Sequence, residues 1–183
     1  MTAFTPARRL AIAVTGVVAA TCLITTTALA NSPTDQAAPG DHVPLSVDPA
    51  DCDSIPPDRD IAVTQTVHRI GVDMGASEKA MLAGFEAGWV ESHMNNLPCG
   101  DQDSLGVFQQ RPSQGWGTPE QIMNVEYAST KFFEQAIHND PLNPDFTAGQ
   151  LAQSVQRSCC PERYDQSEGK AREMLGEVQF ARP

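Results

Sequence analysis

The chain has 183 residues, with 12 Lys and Arg against 23 Asp and Glu, a formal net charge of −11 and 40% hydrophobic residues. That is the composition of a globular domain rather than a disordered or fibrous chain. So acidic a balance argues against nucleic acid, whose phosphates need clustered Lys and Arg, and beyond the N-terminus no stretch is long and apolar enough to span a bilayer.

The first thirty residues read as a secretory signal. Arg8 and Arg9 form a short positive region, Leu10 to Leu29 carries no charge, and Ala28-Leu29-Ala30 fits signal peptidase. Cleavage after Ala30 removes two Arg and no acid, leaving 10 basic and 23 acidic residues. It also removes Cys22, leaving Cys52, Cys99, Cys159 and Cys160. An even number of cysteines in an exported chain predicts two disulfides. A vicinal Cys159–Cys160 bridge closes a strained ring, so Cys52 and Cys99 are each expected to take one member of that pair, in an order the sequence leaves open. There is no CxxC and no His at ligand spacing, and we expect no metal and no cofactor.

Residues 31–58 are rich in Pro, Asp, Ser and Ala without an apolar period, and read as a linker or wrapping segment. From 59 to 183 helical signals dominate. Val63, Val67 and Ile70 recur at helical spacing. Ser77 caps a helix carrying Met81, Phe85, Gly88 and Trp89 that ends near Met94. Asn95 to Gly117 is dense in Gly, Pro, Asn and Asp and is expected to be loop. Thr118-Pro119-Glu120-Gln121 is a capping box with Pro at the first helical position, and the stripe of Val125, Ala128, Phe132, Phe133, Ala136 and Ile137 continues it. Thr147-Ala148-Gly149-Gln150 is a second capping box, ahead of Leu151, Ala152 and Val155. Tyr164, Glu168, Ala171 and Leu175 mark a last helix. No segment alternates as a strand does, so the predicted class is all-α.

Glu91 stands near the end of the helix that Ser77 starts. Gly84, Ala87 and Gly88 lie one and two turns back on its face, and so many small residues beside a long acidic chain are expected to leave open space, such as a cleft. An apolar surround disfavours the charged carboxyl and raises its pKa, as a general acid needs in order to hold its proton near neutral pH. A solvent-facing helix glutamate is the plain alternative.

The loop that follows weighs against the plain alternative. Glu91-Ser92 is succeeded by Gly106-Val107-Phe108-Gln109, inside the longer run Asp103 to Thr118, and later by Asn124-Val125-Glu126-Tyr127-Ala128, which looks like a helix start, and by Val155-Gln156-Arg157-Ser158 with Pro161 and Tyr164. These segments resemble the lysozyme-like superfamily of goose-type lysozymes and soluble lytic transglycosylases. They are most similar to its short secreted actinobacterial members, over roughly residues 75–180. The resemblance implies a lysozyme-like helical domain with a Gly-rich active-site loop, cleaving the β-1,4 bond between N-acetylmuramic acid and N-acetylglucosamine in peptidoglycan. Glu91 matches the single catalytic acid of the transglycosylases, which protonates the leaving oxygen and then deprotonates the muramic 6-hydroxyl to close a 1,6-anhydro ring.

A hydrolase usually adds a second carboxylate across the bond, for which Asp101 and Asp103 are the candidates, although an Asp in such a turn more often bonds its own backbone. Goose-type enzymes carry a carboxylate where this chain has Arg111, which favours transglycosylation. Ser154-Val155-Gln156 stands in place of the Ala-Tyr-Asn usual in transglycosylases, so a groove tyrosine is missing there and Gln156 is left to replace the Asn amide. Ser92, Gln109, Gln110, Trp116 and Gln156 are the candidate substrate contacts: Gln109 as a donor to an N-acetyl or hydroxyl group, Trp116 as a face for a sugar, and Ser92 chiefly as the fixture of the Glu91 helix end. Trp89, at helical spacing with Phe85, reads as core, His68 and His138 as surface, and His93 adjoins the motif. The expected protein is a secreted monomer at the cell wall acting on glycan strands, free of nucleic acid and of the membrane once its signal is cleaved. Its alternative is a non-catalytic glycan- or wall-binding member of the same fold.

Overall fold

The computed structural model describes residues 54–180. The expected signal segment, most of the expected linker and Cys52 lie outside the described residues. Seven α-helices carry the described chain: α1 (Ile61–Asp73), α2 (Glu78–Ser92), α3 (Pro119–Ile122), α4 (Val125–Asn139), α5 (Ala148–Gln156), α6 (Glu162–Gln166) and α7 (Glu168–Phe180). Among the described residues there is no strand, only an isolated antiparallel bridge between Leu105 and Gln110. The class is all-α.

Side chains that satisfy orphan backbone N–H groups start most of these helices. Asp60 accepts from Ala62 and Val63 ahead of α1, and Ser77 accepts from Ala80 ahead of α2. Thr118 with Gln121, and Thr147 with Gln150, form reciprocal capping boxes at α3 and α5. The helix start that the resemblance places at Asn124 is present: its side chain accepts from the Tyr127 N–H and begins α4, so the stripe after Thr118 falls on two helices. The last helix is likewise broken, at Ser167, into α6 and α7.

Helix α2 is the centre of the domain and packs against α1, α4, α5, α6 and α7. Every residue from Ala80 to Gly88 is buried, as befits a helix enclosed on all sides. The small residues on it serve that packing. A side chain at Gly84 would collide with Phe133, and one at Gly88 with Met94. The open space expected beside Gly84, Ala87 and Gly88 is therefore filled, and what they provide is close approach of neighbours to α2. Phe108 stacks on Phe132 at 4.6 Å, and Phe132 meets Phe133 edge-on at 5.5 Å, so the loop and α4 share one core. His68, expected at the surface, is buried against Phe85 at 6.3 Å, whereas His138 is exposed.

The cysteines depart from expectation. Cys159 and Cys160 are free thiols, so neither serves as the shared end of the two expected bridges. Cys99 is not free, but its partner is neither of these two.

Candidate active site

Glu91 occupies the last turn of α2, which ends abruptly because His93 and Met94 both take left-handed backbone conformations, with φ of 50° and 60°. Ser92 is fully buried there. Its one hydroxyl hydrogen goes chiefly to the Val107 carbonyl (2.7 Å) and is shared with the Gly88 carbonyl (3.1 Å), and its oxygen accepts from the Asn95 N–H (3.2 Å). Ser92 therefore ties the helix end to the loop and does not reach substrate, contrary to its place among the substrate contacts. Segment 54–58 wraps the same end: the Pro56 carbonyl accepts from His93 Nδ1 (2.8 Å) and the Asp58 carbonyl from the Asn95 amide (3.0 Å).

The carboxyl of Glu91 opens into a cleft of about 470 Å³, whose walls include Asp101, Gln109, Trp116, Gln156, Arg157 and Arg163. Burial pushes the Glu91 pKa above its ordinary value. Three weaker influences pull the other way: the hydroxyl of Tyr164, the amide of Gln156 and the charge of Arg163. The Tyr164 hydroxyl donates to Glu91 Oε1 at 2.5 Å, and its own pKa is raised by burial and by the adjacent carboxyl. Gln156 also donates to the Phe108 carbonyl at 2.8 Å, which holds its amide beside Glu91. The carboxyl thus holds its proton more firmly than in water, yet has donors in place for the charge that appears once the proton is given up.

The loop residues divide into those that face the cleft and those spent on the loop itself. Gln109, with φ of 47°, uses its amide hydrogens on the Cys99 carbonyl (3.3 Å) and the Gly106 carbonyl (3.1 Å). It is on the cleft as expected, but both its amide hydrogens are spent on the loop, so the donor role is not available. Gln110 is buried, and its amide donates to the Ala128 carbonyl at 3.2 Å, anchoring the loop to α4. It also lines the cleft, so it stands where expected while its amide serves as a tether. Arg111 bonds Asp103 (2.6 Å), Gln102 (2.7 Å) and Ser113 (3.2 Å). Asp103 in return accepts from the Ser113 backbone, and these bonds, that to Arg111 foremost, lower its pKa to about 2. Asp103 is therefore turn chemistry and not a second catalytic carboxylate, while Asp101 does line the cleft. Gly106 makes this fold of the loop possible, with φ of +78° and the Ile122 carbonyl 2.8 Å from where a side chain would begin. Trp116 both packs against the core and lines the cleft.

Three contributors were not legible as site residues. Tyr164 belongs to the expected last helix and to the closing segment of the resemblance, without an expected role; it is fully buried and brings a phenol to Glu91 from α6. Arg157 and Arg163 are arginines on the cleft wall that make no ion pair among the described residues. Arg157 also takes a left-handed φ of 54°. The available signal was the closing segment of the resemblance, which includes Arg157 and Tyr164. Trp89, expected in the core, is only partly buried and stacks on His93 at 4.3 Å. Among the described residues no three His, Cys, Asp or Glu are grouped to hold a metal ion. No protein-family model matches the chain, and no curated protein matches it in sequence.

Proposed function

We propose that the chain is a secreted, lysozyme-like peptidoglycan-cleaving glycosidase, working as a lytic transglycosylase on the bond between N-acetylmuramic acid and N-acetylglucosamine. The observation that carries this reading is Glu91, a carboxyl whose pKa burial raises, opening into a groove and held at 2.5 Å by the Tyr164 hydroxyl. Protonated Glu91 gives its proton to the glycosidic oxygen as the bond to the muramic C1 breaks. The carboxylate left behind is stabilised by the Tyr164 and Gln156 donors. It then takes the proton of the muramic 6-hydroxyl as that oxygen closes on C1. One proton is lent and returned, no water is consumed, and the product ends in a 1,6-anhydro ring.

Asp103 is occupied by Arg111 and Ser113, which supports the single-acid scheme. Asp101, on the cleft wall, favours a second reading, hydrolysis with water as the acceptor. Digestion of purified sacculi with mass analysis of the fragments separates the readings. Anhydro ends are expected. Reducing ends would replace transglycosylation by hydrolysis, and intact sacculi that retain the protein would reduce it to a glycan-binding member of the same fold.

A further inference from the structure

A second, smaller pocket adjoins the cleft. It measures about 250 Å³ and is walled by Trp89, Val90, His93, Arg163, Ser167 and Lys170. Val90 and Arg163 line the cleft as well, so the two depressions share one wall, one residue before Glu91. Three features set this pocket apart. Its charged lining is wholly basic, in a chain with 23 acids against 12 Lys and Arg. Arg163 makes no ion pair among the described residues, although its charge acts on Glu91, and Lys170 makes one, with the more exposed Glu173 at 3.0 Å. The aromatic wall is rigid: Trp89 stacks on His93 with their planes 19° apart, His93 is fixed by the Pro56 carbonyl at 2.8 Å, and Lys170 Nζ lies 5.2 Å from the indole centroid.

A guanidinium and an ammonium on the wall of one pocket, with a flat apolar surface beside the ammonium, suit a carboxylate on a short organic chain. The guanidinium takes the two oxygens as a fork, the ammonium adds a point charge, and the indole covers the carbon skeleton. We propose that this pocket binds a carboxylate of the peptide branch carried on the lactyl ether of muramic acid. The proposal rests on the peptidoglycan reading above. A glycan strand lying in the cleft with Glu91 at the scissile bond presents its muramic acid at that point, and the branch leaves the sugar sideways. The shared wall of Val90 and Arg163 puts the basic pocket where such a branch goes. The protein would then prefer strands that bear peptides over naked glycan, and Arg163 would couple peptide recognition to the charge state of Glu91.

The chain has two tryptophans, one in each depression, so the two indole N–H signals in a nitrogen-15 NMR spectrum report on them separately. The titrants are a free stem peptide containing D-glutamate, peptide-free chitooligosaccharide and inorganic phosphate. Stem peptide is expected to move the Trp89 indole signal and chitooligosaccharide the Trp116 signal. Lys170→Glu and the milder Lys170→Gln should weaken the peptide response at least about 10-fold, the size of a lost charge-assisted contact, with spectral dispersion as the control for folding. The proposal is overturned if stem peptide leaves Trp89 unmoved, if both Lys170 variants bind it as wild type does, or if inorganic phosphate moves Trp89 as strongly at equal concentration, which would make this a phosphate site. Failure of the peptidoglycan reading looks different: Trp116 stays silent to glycan and sacculi stay intact, whatever Trp89 does.

Discussion

Glu86 and Glu91 stand on the same helix, five residues and about 140° of rotation apart, and burial raises the pKa of both. They differ in what surrounds the carboxyl. Glu86 is wholly buried between α2 and the α6–α7 arm, neither of its oxygens has a hydrogen-bond partner, and its pKa is pushed up to about 8. After burial itself, Asp165 and Glu168 push it up further, and Arg172 opposes them more weakly. Glu91 faces a groove and has Tyr164, Gln156 and Arg163 to receive its negative charge. A raised carboxyl is thus not in itself a sign of catalysis. What makes one useful is access for a substrate and donors for the ionised form. Glu86 has neither and serves as a neutral group in the core.

The largest expected effect breaks the comparison at Glu91. Glu91→Gln keeps the shape and removes the proton, and cleavage of sacculi should fall at least about 100-fold, the low end for general acid–base catalysis, with helicity by circular dichroism unchanged. Near wild-type cleavage by this variant would remove Glu91 from the mechanism. The next effect belongs to Glu86 and is one of stability. A carboxyl raised from 4.5 to about 8 in the folded protein contributes nothing adverse below pH 4.5, where it is neutral folded or unfolded. Its cost grows as pH rises toward 8 and levels off above. Stability to urea should therefore decline from pH 5 to pH 8. Glu86→Met, which replaces an unpartnered carboxyl by an apolar chain of similar length, should flatten that decline and gain about 2 kcal/mol above pH 8. A wild-type stability that holds level across this range would mean that Glu86 has found partners.

Tyr164→Phe sharpens the comparison by making Glu91 resemble Glu86. The ring keeps its packing, but the carboxylate loses its closest donor, so the Glu91 pKa rises further. The alkaline limb of the pH–activity profile should move up, and the rate at the plateau should drop about 10-fold, in keeping with a lost hydrogen bond to a charged group. A profile that does not move would mean that the phenol supports packing only.

The parts of this arrangement that were legible in the sequence are those decided within four residues. The caps at Ser77, Thr118 and Thr147 each bond a backbone N–H three positions on, and Glu91 sits at a helix end because the residues after it leave helical space. The helix start at Asn124 was legible through the resemblance, whereas the break at Ser167 was hidden, because the spacing of Tyr164, Ala171 and Leu175 continues across it and only the local hydrogen bonding changes. The fates of Gln109, Gln110 and Arg111 were hidden for another reason. Their partners Cys99, Ala128 and Asp103 lie 8 to 18 residues away, and closure of the loop in space selects them. Tyr164 reaches Glu91 across 73 residues, a contact that only the packing of α6 on α2 and α5 brings about. The small residues of α2 point to the cleft for the wrong reason: they admit Phe133 and Met94, and the groove is made instead by the loop and the α5–α6 connection.

The smallest expected effect tests whether the groove that separates the two glutamates holds a sugar. Trp116 lies between Gly115 and Gly117, whose φ values of 80° and 141° set the indole across the loop. A side chain at 117 would meet the Tyr127 hydroxyl at 2.9 Å, so the position of the loop against α4 is tight. Part of the indole packs on the core and part lines the cleft, and the two roles separate by choice of substitution. Trp116→Ala removes both and should cost stability as well as about 1 kcal/mol of glycan binding, roughly a 5-fold weaker affinity. Trp116→Leu refills the apolar gap without a flat face. It should hold stability near wild type while affinity for chitooligosaccharide, read by calorimetry, falls as in the alanine variant. If the leucine protein binds as wild type does, the sugar does not stack here, and Glu91 would differ from Glu86 only in its donors and its access to water.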